Sequence, residues 1–542
     1  MPAAANANIA RHLGTMAAAQ PAAPALKIPR GRTRAGEIDY LALTFAELAA
    51  EVAAWEARLS ARGIRRGDRT LLMVKPGLPL IAAAFGLFQL GAVPVIIDPG
   101  MGLKNFLTGV ARTRPRALVG IPLAQIVSRL FRRPFASVAV RVPVPNSLTA
   151  RLPASRAASR GSVADNAPGD LAAILFTSGS TGAPKGVRYE HGMFEAQIRL
   201  LRETYGIAPG EVDLPLLPIF ALFNPALGMT SVIPEIDPRR PAAVDPAKIV
   251  QAIRQEGVTN SFGSPTLWQI ISDHCAAKQI KLPSLRRVLC AGAPVPTALW
   301  EKSSDFLPGG RLHSPYGATE ALPVSTISAD EVAALRKAPL RGAPVGRPLA
   351  GIEVRIIAPV DGPIVTWAEA RELPRGEIGE IVVRGPVVTK EYDGLGSATA
   401  LAKIQDGAST WHRMGDCGYL DAGGSLWFCG RKVERVETNA GPLYTEICEQ
   451  VFRVHPRAAR CALVGLGRIG QQVPALVAET AEKGDGILLA AALRQLALSH
   501  PATTSIRRFY FRPKFPVDVR HNAKIHRLTL ARWAATARGY DT

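Results

Sequence analysis

Six consecutive apolar residues, Leu171–Phe176, run straight into Thr177, Ser178, Gly179, Ser180, Thr181, Gly182, Ala183, Pro184, Lys185 and Gly186. An apolar run of that length, cut off by glycines and hydroxyls, reads as a buried strand feeding a loop. Glycine lets backbone N–H groups come close to an anion, hydroxyl side chains add donors, and Lys185 adds a positive charge. The loop Phe176–Gly186 therefore suits a polyphosphate. It is not the common nucleotide loop G-x-x-x-x-G-K-[ST], because Lys185 lies between Pro184 and Gly186 and no hydroxyl follows it.

The surrounding pattern predicts layered α/β structure. Leu78–Pro99 is almost wholly apolar and long enough to suggest a membrane span, but it divides into a buried helix, Leu78–Leu90, a turn at Gly91 and Ala92, and a β-branched strand, Val93–Ile97. Helix followed by strand is what a βαβ layer needs. Thr44–Arg62 has helical apolar spacing with Thr44 as N-cap. Residues before about Ala25 read as a low-complexity lead into a first helix, and Ala136–Asp170 as loop or linker. Ile352–Ile357 and Ile378–Val383 read as strands inside a β-rich subdomain at about 342–420.

Composition narrows the class. With 542 residues and 47% apolar content, the chain can build several cores. Cys275, Cys290, Cys417, Cys429, Cys448 and Cys461 form no C-x-x-C pair and read as reduced core residues of a cytoplasmic protein. No signal peptide is recognisable at the start. The net charge of +21 exceeds what a small anionic substrate requires. Ile126–Arg160 carries Arg129, Arg132, Arg133, Arg141, Arg151, Arg156 and Arg160 with no acid. Its beginning, Ile126–Arg133, has the pattern of a basic amphipathic helix, suited to an anionic membrane surface or an acidic partner, or simply a solvated face. Nucleic acid is not expected, since no stripe of interleaved basic and aromatic residues accompanies the charge.

Further motifs follow in order: Ala291-Gly292-Ala293-Pro294 behind an apolar run, Tyr316-Gly317-Ala318-Thr319-Glu320, Arg413-Met414-Gly415-Asp416, Phe428-Cys429-Gly430-Arg431-Lys432, and Arg520-His521-Asn522-Ala523-Lys524-Ile525. Together with the loop they resemble the adenylate-forming enzymes: acyl-CoA synthetases, peptide-synthetase adenylation domains and luciferases. The resemblance spans about Thr44 to Arg527. It implies an α/β fold with a large N-terminal domain, 1–430, of layered α/β subdomains plus the β-rich subdomain, and a small mobile α+β lid, 431–542. It also implies ATP and Mg²⁺ as cofactors. Thr177, Ser178, Gly179, Ser180, Thr181, Gly182 and Lys185 would hold phosphate, and Gly292, Ala293, Pro294, Tyr316 and Gly317 the adenine. Asp416 and Arg431 would hold the ribose, an acceptor-only carboxylate suiting two vicinal hydroxyls. Thr319 would touch the α-phosphate, Glu320 would hold Mg²⁺, and Lys524 would bridge the carboxylate and the α-phosphate.

Three departures bear on the step after activation. Val433 occupies the hinge position, where an Asp or Lys is usual. Ala221 stands where many CoA ligases keep a His, and Ala523 precedes Lys524 where a Gly is usual. CoA use is therefore not expected. These departures, with Leu217–Asp237 and the G-R-K-x-x-R-V stretch, resemble the β-lactone synthetases of bacterial long-chain olefin biosynthesis. That subgroup implies activation of a long-chain 2-alkyl-3-hydroxy fatty acid and ring closure by its 3-hydroxyl. It also implies thiolase-like, reductase and β-lactone decarboxylase enzymes as pathway partners. The expected location, from the reduced cysteines, is cytoplasmic, and the basic segment Ile126–Arg160 would allow a place peripheral to the membrane. Fatty-acid–CoA ligase, fatty-acyl–AMP ligase and an inactive nucleotide-binding subunit stay open as alternatives. No base for the 3-hydroxyl is identifiable; His191 reads as structural, and His521 as either idle or a neighbour of Lys524.

Overall fold

The computed structural model describes residues 6–151, 163–177, 184–237, 243–335, 341–480, 486–517 and 525–542. They form two compact units. The first comprises Met1–Val324 with Leu349–Gly351 and Gly385–Thr399; the second comprises Ser325–Pro348, Ile352–Arg384 and Ala400–Thr542.

The first unit holds two mainly parallel sheets. One runs in the order Val140–Pro143, Ala117–Gly120, Arg69–Met73, Val93–Ile96, Leu171–Thr177, with Lys185–Glu190 added antiparallel at the end. The other runs Arg311–Ala318, Arg287–Cys290, Asn260–Gly263, Val212–Asp213, Thr230–Val232, Pro24–Arg32, and ends in the antiparallel Ile38–Thr44. Parallel strands need crossover helices on their faces, so both faces become apolar. That explains the helix Leu78–Gln89, which is buried along almost its whole length, and the strand Val93–Ile96 behind it.

The helix Phe45–Ala61 begins at a capping box: the Thr44 hydroxyl accepts from the Glu47 N–H, and the Glu47 carboxylate accepts from the Thr44 N–H at 2.9 Å. Loss of such a cap costs about 1 kcal/mol. The helix buries Phe45, Leu48, Val52, Trp55 and Leu59. It packs closely on Leu78–Gln89 because Gly86 has no side chain; a Cβ there would lie 3.2 Å from Trp55 Cβ.

Two expectations need correction. The Ala-rich lead before Ala25 itself contains a helix, Arg11–Ala19, and Pro24 opens a strand instead of a helix. Leu13 is the one fully buried residue of that helix. The segment just before it is held by polar bonds instead, Asn8 Nδ2 donating to Phe88 O at 2.6 Å and to Asn166 Oδ1 at 2.9 Å. The expected linker Ala136–Asp170 contributes the edge strand Val140–Pro143.

The second unit begins with an antiparallel layer, in the order Glu353–Ile357, Gly379–Arg384, Ser409–Leu420, Leu426–Arg431, Ala343–Pro348. It continues with a four-stranded sheet, Cys461–Leu466, Val473–Glu479, Arg508–Arg512 and Tyr540–Asp541, backed by helices Thr445–Phe452, Gly486–Leu498 and Arg527–Ala534. Thus the β-rich segment and the C-terminal residues cluster together. All six cysteines are buried free thiols. Among the described residues, no helix is long and apolar enough to cross a membrane.

Candidate functional site

The strand Leu171–Thr177 ends where the loop begins, and its return strand starts at Lys185, paired with Thr177. Phe176 lies opposite Gly186. A Cβ at Gly186 would sit 3.0 Å from both Ile174 Cγ2 and Phe176 Cε2, so any side chain there would crowd the pairing of the two strands. Arg112 Nη1 donates to Pro184 O at 2.7 Å and pins the loop's far end. Ser178, Gly179, Ser180, Thr181 and Gly182 lie outside the described residues, as do His521 and Lys524.

Gly292, Ala293 and Pro294 follow the carboxyl end of Arg287–Cys290, and Tyr316 and Gly317 sit at the carboxyl end of the adjacent parallel strand, Arg311–Ala318. Carboxyl ends of parallel strands are where open α/β sheets take ligands. Gly292 has φ +99°, in the region that favours glycine. A Cβ at Gly317 would come within 2.6 Å of Ala321 O.

Thr319 and Glu320 lie at the turn after that strand. Their backbone is fixed from two sides: Tyr189 Oη donates to Thr319 O, while the Thr389 N–H and hydroxyl donate to Glu320 O at 2.9 and 3.1 Å. The buried Glu320 carboxylate accepts the Tyr392 hydroxyl at 2.8 Å through Oε1; among the described residues Oε2 has no hydrogen-bond partner. On the same phenol, Lys185 Nζ sits 4.8 Å above the ring centroid, a cation–π contact. Asp393 accepts a bidentate pair from Arg69 at 2.8 and 3.0 Å and donates its N–H to Gly186 O at 2.8 Å. The segment from Val388 to Asp393 therefore straps the Glu320 turn to the base of the loop. Tyr392, Thr389 and Asp393 were not legible as site residues; Glu391-Tyr392-Asp393-Gly394 carries no pattern beyond a turn signal.

Among the described residues, no three histidines, cysteines or carboxylates converge on one point. A single carboxylate with one open oxygen does fit Mg²⁺, which binds one or two protein carboxylates and takes its remaining ligands from water and phosphate.

In the second unit, Asp416 and Arg431 face each other across paired strands, Oδ1 to Nη1 at 2.8 Å, with Asp416 buried. Gly430, at φ +138°, lets Thr445 approach; a Cβ would meet Thr445 Oγ1 at 2.2 Å. Arg413 is a buried partner of Glu380, at 2.7 Å. Val433 is 47% exposed on a short turn, Lys432–Glu434, whose flanks are tied: Lys432 Nζ to Glu380 at 3.0 Å, and Glu434 to Arg527 at 3.1 Å. Burial alone would raise the Glu449 carboxyl, but Arg527 and Arg453 outweigh it and hold it below the usual carboxylate range.

His191 is buried at the start of the helix His191–Tyr205 and accepts the Ile9 N–H through Nδ1 at 3.4 Å; desolvation lowers its pKa to about 4. That agrees with a structural role. Ala221 is fully buried. Beside it, the Phe220 ring lies 4.0 Å from that of Phe262, and Asn224 Nδ2 donates to Asp213 and Ser231, both at 2.8 Å. Burial raises Asp213 to about 6, against the amide bonds from Asn224 and Asn260.

Two curated relatives each align over nearly the entire chain. An olefin β-lactone synthetase of Xanthomonas campestris pv. campestris is 45% identical over 98% of this chain and 98% of its own. An olefin β-lactone synthetase of Stenotrophomonas maltophilia is 45% identical over 97% and 98%. The fold matches the O-succinylbenzoate coenzyme A synthetase of Bacillus subtilis, solved with ATP and magnesium ion, at a TM-score of 0.76 and 21% identity over 96% of this chain and 98% of that one. Such structures share the α/β fold with a large N-terminal and a small C-terminal domain. The family description "AMP-binding enzyme" matches residues 15–393, which include the loop strands, the Thr319–Glu320 turn and the strap that joins them, so this chain belongs to the AMP-binding enzyme family.

Proposed function

We propose that this chain is an olefin β-lactone synthetase: it activates a long-chain 2-alkyl-3-hydroxy fatty acid as an acyl-adenylate and closes it to a β-lactone, releasing pyrophosphate and then AMP. The observation that carries this reading is the 45% identity to olefin β-lactone synthetases across 98% of both chains.

A carboxylate is a poor electrophile, and hydroxide a poor leaving group. Attack of a carboxylate oxygen on the α-phosphorus expels pyrophosphate and makes AMP the leaving group. The 3-hydroxyl oxygen then attacks the carbonyl, AMP departs, and the hydroxyl proton is released. Holding hydroxyl and carbonyl in one cavity supplies effective concentration against ring strain. Lys524 is assigned to the carboxylate and α-phosphate, Thr319 to the α-phosphate, and Asp416 with Arg431 to the ribose. Thr177–Gly182 and Lys185 are assigned to the leaving pyrophosphate; Gly292, Ala293, Pro294, Tyr316 and Gly317 to the adenine. Mg²⁺ bound at Glu320 would supply charge neutralisation of the phosphates. Residues 431–542 serve as the lid. No thiol is required, which agrees with Ala221 and Val433. The enzymes that make the hydroxy acid and decarboxylate the lactone are its pathway partners.

The test is incubation with Mg-ATP and a racemic 2-alkyl-3-hydroxy acid, with and without CoA. The reading expects β-lactone, AMP and pyrophosphate without CoA. A thioester formed only with CoA would assign the chain to the CoA ligases, and absence of pyrophosphate with any carboxylic acid would make it an inactive subunit.

A further inference from the structure

The helix Pro122–Leu130 is built the wrong way round for a soluble protein. It links the strand Ala117–Gly120 to the edge strand Val140–Pro143. Its buried residues are Ala124, Gln125 and Ser128. Gln125 Nε2 donates to Gly120 O and Val142 O, both at 3.2 Å, and Ser128 Oγ accepts from Arg141 Nε at 3.3 Å. Gly120 allows the close approach, since a Cβ there would lie 2.7 Å from Ala124 Cβ. The helix therefore docks on the sheet edge through a mainly small and polar face, with Val127 partly buried against the core beneath it.

The aliphatic face points outward. Leu123, Ile126 and Leu130 are 65%, 60% and 72% exposed, and their spacing puts them on one stripe. A surface helix ordinarily turns such a stripe to the core. Arg129 flanks it, and Arg132 and Arg133 follow the helix end, all exposed. Among the described residues, none of the three guanidinium groups has an ion-pair or hydrogen-bond partner. The helix ends at Leu130, so the two last arginines lie beyond it instead of on the helix predicted for Ile126–Arg133.

From this we propose that the Pro122–Arg133 face is a docking surface for an anionic lipid bilayer. Aliphatic side chains among acyl chains, with arginines at the depth of the head groups, are how an interfacial helix binds. Polybasic segments gain from the negative surface of such a membrane, and the chain's net charge of +21 acts in the same direction. Three aliphatic anchors on nine residues give reversible attachment. The proposal does not depend on the reaction assigned above.

The test uses the full chain in co-sedimentation with vesicles of phosphatidylcholine alone, and of phosphatidylcholine mixed with phosphatidylglycerol. Binding is expected to the mixed vesicles and to weaken with salt. Replacing Arg129, Arg132 and Arg133 by Gln should lower the partition coefficient roughly 100-fold. Ile126→Gln with Leu130→Gln should lower it more than about tenfold. Both variants change exposed side chains and should keep the wild-type melting temperature and pyrophosphate release. Equal binding to both vesicles, or no loss in either variant, would overturn the proposal. So would a dimer that Ile126→Gln disperses without lipid, which gives the face to a second copy. Binding that survives loss of the aliphatic pair and is competed by polyglutamate would give it to an acidic protein.

Discussion

The Tyr392 hydroxyl donates to Glu320 Oε1 at 2.8 Å while Lys185 Nζ rests 4.8 Å above the same ring. One buried phenol thus touches the carboxylate assigned to Mg²⁺ and the lysine assigned to the leaving pyrophosphate. It fixes the carboxylate rotamer and leaves the second oxygen open.

Tyr392→Phe removes the donor and keeps the ring. The carboxylate loses one hydrogen bond, worth about 1.5–3 kcal/mol when an ionised group is involved. The expected result is a roughly tenfold or greater loss in pyrophosphate release that higher Mg²⁺ partly restores. A Mg²⁺ titration of wild type and variant measures it.

Gly186→Ala places a methyl 3.0 Å from Ile174 and Phe176. Overpacking of this kind costs about 1–3 kcal/mol. Denaturant unfolding should show that loss, and the KM for ATP should rise because the base of the loop is displaced.

His191 supplies a pH signature. Its folded pKa of about 4 lies below the unfolded value because burial disfavours the imidazolium. The unfolded chain therefore takes up a proton first as the pH falls. The stability contribution is complete above about pH 6.5 and is lost as the pH falls toward 4, by up to about 3 kcal/mol. Unfolding curves of wild type and His191→Asn should converge across that window.

The hinge position offers a negative prediction. Val433 is half exposed and its neighbours carry the ties to Glu380 and Arg527. Val433→Asp should leave β-lactone formation within about twofold of wild type, as expected of an exposed substitution. A large loss would show that the valine itself is needed.

Local rules made much of the fold readable in the sequence. Thr44 announced a helix start, and the apolar runs Val93–Ile97 and Leu171–Phe176 announced buried strands, all of which formed within a residue or so. The helix Arg11–Ala19 escaped because its anchors are Asn8 and Leu13, not an apolar stripe. The strap through Tyr392 escaped for a different reason. Its partners at Glu320 and Glu190 lie 72 and 200 residues away from Tyr392 and Lys390, and no local pattern encodes such pairings. Likewise Ile126–Arg133 read as amphipathic, but which side faces the sheet was decided by Gln125 and Ser128 finding backbone and arginine partners.

Lys524→Ala should lower adenylation roughly 10²-fold or more, as loss of a cation at developing phosphoryl charge does. Pyrophosphate exchange measures that step apart from ring closure.

The most direct test of carboxylate activation followed by hydroxyl attack is an oxygen-isotope experiment. The enzyme is supplied with Mg-ATP, no CoA, and a 2-alkyl-3-hydroxy acid labelled with ¹⁸O in both carboxylate oxygens. The account predicts one ¹⁸O in the AMP phosphate and one in the lactone carbonyl, with an unlabelled ring oxygen. Unlabelled AMP beside a lactone that keeps both labels would mean that the hydroxyl had been activated instead, and would contradict it.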